Sequence, residues 1–121
     1  MAFLNRYNVR LQVKRVTQMT ALNAQHAKTL AETDVMEMDD TEKVKATEAT
    51  LLQENVGSEN GQTLNLYEVP VRFRRNIVLD ALDNRDARHW AEQDQESWDD
   101  TENGSFQVQQ VTFMKEKTGE A

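Results

Sequence analysis

Residues 67–75, YEVPVRFRR, decide how the rest of the chain is read. Tyr67, Val69, Val71 and Phe73 alternate with Glu68, Pro70, Arg72 and Arg74, so an extended backbone turns an apolar side one way and a charged side the other. Period-two alternation of β-branched and aromatic residues marks a half-buried strand. Pro70 has no N–H to give to a ladder. It assigns this strand to a sheet edge, or points the missing donor at an unpaired side.

Two similar runs flank it. From Arg6, the residues Tyr7, Val9, Leu11 and Val13 alternate with Asn8, Arg10, Gln12 and Lys14, which predicts a strand over 6–16. Near the end, FQVQQVTFM at 106–114 places Phe106 and Val108 on one parity and Val111 and Phe113 on the other. The one-residue slip at Gln109–Gln110 is what a β-bulge absorbs, and a like slip stands at Leu66–Tyr67. The strands are expected at 6–16, 63–75 and 105–114. Asn60-Gly61, inside the loop GSENGQ, is a tight-turn dipeptide.

Between these runs the period changes. Thr20 caps an expected Ala-rich helix near 20–31, which rests more on propensity than on an apolar stripe. Asp39 and Glu42 have capping-box spacing, and Val44, Leu51, Leu52 and Val56 follow at helical intervals before Gly57. They predict a helix over 41–56. A third is expected over 77–98, from Ile77/Val78, Leu82 and His89/Trp90. The expected fold class is α+β: a small, mainly antiparallel sheet of about three strands with two or three helices packed on one face. The 121 residues make one domain, with short polar tails at about 1–5 and 115–121. No repeat stands at a solenoid period, although VRLQVKR and VPVRFRR are alike and could pair.

Composition limits the function. Hydrophobic residues are only 38%, so one modest core is the most the chain can bury. There is no cysteine, which excludes disulfides and thiolate sites. The first residues, MAFLNRYNVR, lack the apolar run of a secretory signal, and no stretch approaches a membrane span. The formal charge of -7 disfavours direct nucleic-acid binding. That charge is segregated: residues 1–31 hold five bases and no acid, whereas residues 92–102 hold six acids in eleven positions.

Little in the sequence points to catalysis. No phosphate-cradling glycine motif is present, and Ser58, Ser97 and Ser105 lack a nucleophile context for His26 or His89. Asp99, Thr101, Asn103 and Gly104 open like a calcium loop, but Gln110 stands where a bidentate glutamate is required. No catalytic, cofactor-binding or metal-binding residue is assigned, and an enzyme is not expected. Trp90 and Trp98 either pack a helix on the sheet or, for Trp98, anchor an interface within a charged rim.

The reading that remains is a structural or assembly protein acting through protein–protein contacts, with other protein subunits as partners in a homo-oligomer or larger assembly. A small viral particle component (head, connector or tail) has this acidic, cysteine-free profile, which places it in the cytoplasm or inside a particle. The contact residues expected are Arg10, Lys14, Arg72, Arg74 and Arg75 on the basic side, and Trp98, Asp99 and Asp100 on the acidic side. The alternative is a small acidic inhibitor or adaptor that blocks a macromolecule, by nucleic-acid mimicry among other routes.

Overall fold

The computed structural model describes residues 3–38, 40–97 and 104–120. Five strands and two helices follow in the order β1 (Phe3–Ala21), α1 (Ala24–Met36), β2 (Thr41–Ala46), β3 (Thr50–Glu59), β4 (Gln62–Ala81), α2 (Asn84–Glu96) and β5 (Ser105–Glu120). All pairings are antiparallel, in the order β2-β4-β1-β5, with β3 also on β4. The sheet curls into a half-barrel.

This corrects the expected three-strand sheet. The expected helix over 41–56 is instead β2 and β3, separated by a short break. Its helical spacing of Val44, Leu51, Leu52 and Val56 is accidental, because every residue of β3 is exposed and no buried face imposes a period. The expected helix over 77–98 begins only at Asn84: Ile77, Leu79 and Ala81 still alternate inward as the end of β4. The first helix is capped by Asn23 instead of Thr20. The residues expected as a C-terminal tail continue β5, against the start of β1.

The core lies on one face of the sheet. Tyr7, Val9, Leu11 and Val13 of β1 and Tyr67, Val69, Val71 and Phe73 of β4 are buried there with Ala27, Ala31 and Val35 of α1 and Ala87 and Ala91 of α2. The alanines let both helix backbones approach the sheet closely. The alternation read in YEVPVRFRR and in β1 holds residue for residue. Its slips are resolved in the neighbours: Gln109 is the extra residue between Gln110, opposite Arg10, and Val108, opposite Leu11. That bulge turns both Val108 and Val111 toward the core. The slip at Leu66–Tyr67 leaves the β1–β4 ladder unbroken and is matched by an irregularity in β3. Pro70 sits on an interior strand, yet β2 ends opposite Val71 and β3 begins opposite Glu68, so its missing donor meets the break between them. Asn60 and Gly61 both have positive φ, as a two-residue hairpin turn requires.

The half-barrel is built from two like halves. Of the 39 residues at positions 4 to 42, fifteen recur identically 60 positions later, among them Tyr7 and Tyr67, Arg15 and Arg75, Ala27 and Ala87, and the run DDTE at 39–42 and 99–102. The structure repeats with the sequence. Asn23 and Asp83 both cap a helix at 2.8 Å. Leu22 N–H donates to His26 Nδ1 at 3.0 Å, and Leu82 N–H to Asp86 Oδ2 at 2.9 Å. Asn65 Oδ1 accepts from Asn55 N–H, and Asn5 Oδ1 from Lys117 N–H; Asn55 and Lys117 share φ near +55°. Val13 lies directly opposite Phe73, its own counterpart, so a pseudo-twofold axis pierces the sheet there.

Candidate functional site

The face away from the helices carries the charge. Residues opposite one another in an antiparallel ladder point to the same side, so the register sets Arg10, Gln12 and Lys14 of β1 beside Asn76, Arg74 and Arg72 of β4. Lys45 of β2 stands opposite Arg72, and Ser105 of β5 opposite Lys14. Lys14, Arg72 and Lys45 thus form one row across three neighbouring strands. None of the three has an ion-pair partner among the described residues.

The next row is partly neutralised. Glu42 of β2 lies 3.6 Å from Arg74 and accepts from the Asn76 amide at 3.0 Å. The Asn76 hydrogen bond, then the charges of Arg74 and Arg10, hold the Glu42 carboxyl below its usual range. A groove of about 470 Å³ opens beside these rows, lined by Gln12, Lys14, Arg72, Ser105, Gln107 and Gln109 together with Val13 and Phe106. Its cations are flanked by amides and a hydroxyl, groups that complement carboxylate oxygens.

Known protein families, curated proteins and solved structures offer no match to this chain.

Four of the expected contact residues, Arg10, Lys14, Arg72 and Arg74, come together on this face. Arg75 does not. It points to the helix side, is 8% exposed, and its guanidinium reaches Asp40 at 2.7 Å, Asp94 at 2.5 Å and Gln95 at 3.1 Å. It ties β4 to α2 and to the segment before β2. Trp98, Asp99 and Asp100 lie outside the described residues, as do Thr101 and Asn103 of the calcium-like loop. Trp90 is 55% exposed on α2 beside His89, so it does not pack that helix on the sheet.

Lys45, Gln107 and Ser105 escaped sequence reading. Lys45 sat in an expected helix, where its neighbourhood to Arg72 has no meaning. The opposite layer is acidic: α1 and α2 carry Glu32, Asp34, Asp86, Glu92, Asp94 and Glu96 against Lys28, Arg85 and Arg88. Among the described residues no cluster of His, Asp and Glu could hold a metal ion, and no helix is long and apolar enough to cross a membrane.

Proposed function

We propose that this chain is a structural or assembly protein that works through protein–protein contacts, taking an acidic protein surface against the basic face of its sheet. The Lys14–Arg72–Lys45 row carries the reading. Like charges directly opposite one another across a ladder destabilise a sheet. Their retention, beside a groove of amides, fits a face whose counter-charge comes from a partner. The acidic helical layer of another copy has the complementary sign, and opposed charged faces steer and orient association.

Light scattering at low and high salt tests this. A salt-sensitive assembly that is lost when Lys14 and Arg72 are both replaced by glutamate supports the reading. Assembly that survives the double reversal refutes it. A strict monomer that competes with DNA for a basic partner would favour instead an inhibitor using its helical carboxylates.

A further inference from the structure

The two outer edges of the half-barrel are open and alike. Among the described residues β5 pairs with β1 alone and β3 with β4 alone, so the far side of each offers backbone groups that none of these residues pairs. Each edge also shows apolar side chains at counterpart positions: Leu51 and Leu52 on β3, Phe113 and Met114 on β5, exposed by 43% to 52%. Counterparts here are 62 positions apart, as for Asn55 and Lys117 and for Gly57 and Gly119. Leu51 faces Tyr67 in the ladder as Phe113 faces Tyr7.

Proteins guard free edges with lysines, prolines and kinks. Here the charged and left-handed guards stand toward the far ends, Lys115 and Lys117 on β5 and the left-handed Asn55 and Lys117, while the ladder shifts at Leu52 and Met114 leave the backbone extended on either side. The stretches 50–53 and 111–114 carry no charge and no proline.

Building on the assembly reading, we infer that β5 of one copy adds to β3 of a second copy of this chain, continuing the sheet from molecule to molecule. Direction allows this pairing, and charge favours it over β3 with β3. β3 and β1 each run antiparallel to β4, and β5 runs antiparallel to β1, so β3 and β5 point opposite ways within one chain. A rotation about an axis along the strands lays β5 of one copy antiparallel to β3 of the next. β3 holds Glu54 and Glu59 and no base, whereas β5 holds Lys115 and Lys117 with Glu116 between them. Pairing β3 with β3 would set acids together with no base at hand; pairing β3 with β5 brings lysines to the β3 acids. Contact between unlike edges is head-to-tail and builds rings or filaments unless it is capped.

Complementation tests this without knowledge of the register. Leu51→Lys spoils the β3 edge and Phe113→Lys the β5 edge. In light scattering, the unmodified chain should associate, each variant alone should be monomeric, and an equimolar mixture should stop at a heterodimer. Because Phe113 also packs edge-on against Tyr7, Leu52→Lys and Met114→Lys form a second pair that keeps this ring in place. Hydrogen exchange of the unmodified chain should slow in β3 and β5 as concentration rises, with β1 and β4 unchanged.

Association of either single variant alone would overturn the pairing of unlike edges. A monomer with fast exchange in β3 and β5 at every concentration would overturn edge addition altogether. The edge pairing and the proposed function fail separately. Salt-sensitive assembly abolished by charge reversal at Lys14 and Arg72, but indifferent to all four edge lysines, would leave the basic face standing and remove only this inference.

Discussion

Lys14 of β1 and Arg72 of β4 lie directly opposite one another, both exposed, and Lys45 of β2 extends the same row, with no ion-pair partner for the three among the described residues. A cross-strand pair of like charge costs stability, and an opposite-charge pair restores it. Arg72→Glu should therefore stabilise the isolated chain by about 0.5 kcal/mol, the middle of the range for such pairs. The same substitution should weaken assembly. Urea unfolding of the dilute protein and light scattering of the concentrated protein check both halves, and a stability loss would mean that the row has a partner within the fold.

Gly104 enters β5 against the Lys14 carbonyl so closely that an added Cβ would collide with that backbone oxygen. The oxygen belongs to a central strand and cannot swing aside as a side-chain tip would. Gly104→Ala should cost about 2 kcal/mol, within the range for overpacked sites. The denaturation midpoint should fall with an unchanged slope.

Arg75 holds Asp40, Asp94 and Gln95 with one guanidinium. Its removal leaves the buried Gln95 amide without this donor, while Asp40 and Asp94, partly open to water, regain some hydration. Arg75→Ala should cost about 3 kcal/mol, the lower end for breaking a buried pair. Arg75→Lys should recover little, since an ammonium cannot reproduce the planar fork that reaches three acceptors. Thermal unfolding of both variants tests the difference.

What could be read without coordinates follows from what leaves a period. β1, β4 and the first part of β5 have one face on the core, so Tyr7 to Val13 and Tyr67 to Phe73 alternate and were legible, as was the slip at Gln109. β3 has no buried face, so nothing in residues 50–59 opposed the capping signals at Asp39 and Glu42, and local propensity pointed to a helix. The signal that would have corrected it was present. Residues 50–57 match 112–119 at Thr50 and Thr112, Glu54 and Glu116, and Gly57 and Gly119, and the later copy reads as strand at its start. Arg10, Lys14, Arg72 and Arg74 were legible as one basic face because they share a parity. Arg75 has the opposite parity, which places it inward, and Lys45 was hidden by the misread helix.

Acid should act on the carboxylates that fasten the sheet's outer face. Thr118 Oγ1 donates to Asp80 Oδ1 at 2.7 Å and Arg6 Nε to the same oxygen at 3.1 Å. The Thr118 hydrogen bond first, and Arg6 second, hold the Asp80 carboxyl below the usual aspartate range. Glu42 is held low in the same way by Asn76 and Arg74. A depressed native-state pKa contributes stability that is fully present above the unfolded-state pKa and is lost as pH falls through the native one. Stability should therefore decline on the acid side of the ordinary carboxylate range. In a carboxyl-resolved NMR titration Thr118→Ala should move Asp80 back up, and an unmoved Asp80 would leave Arg6 as the main cause.

The two halves also test each other at their helix starts. Ahead of α2, the Asp86 carboxylate accepts from Leu82 N–H while its own N–H donates to the cap Asp83, and its charge lies in the first turn, where the helix dipole favours an anion. Ahead of α1 the same two bonds are made by His26 and Asn23, but the acceptor is a neutral ring nitrogen and the first turn holds no acid. The geometry is the same to within 0.1 Å, so the difference lies in charge. His26→Asp should transplant the better cap and raise stability by about 0.5 kcal/mol at neutral pH and low salt, within the range for a charge at a helix end. The gain should shrink as salt screens it and vanish once the introduced carboxyl is protonated. Unfolding curves at two salt concentrations and two pH values separate this from a packing effect, which would respond to neither.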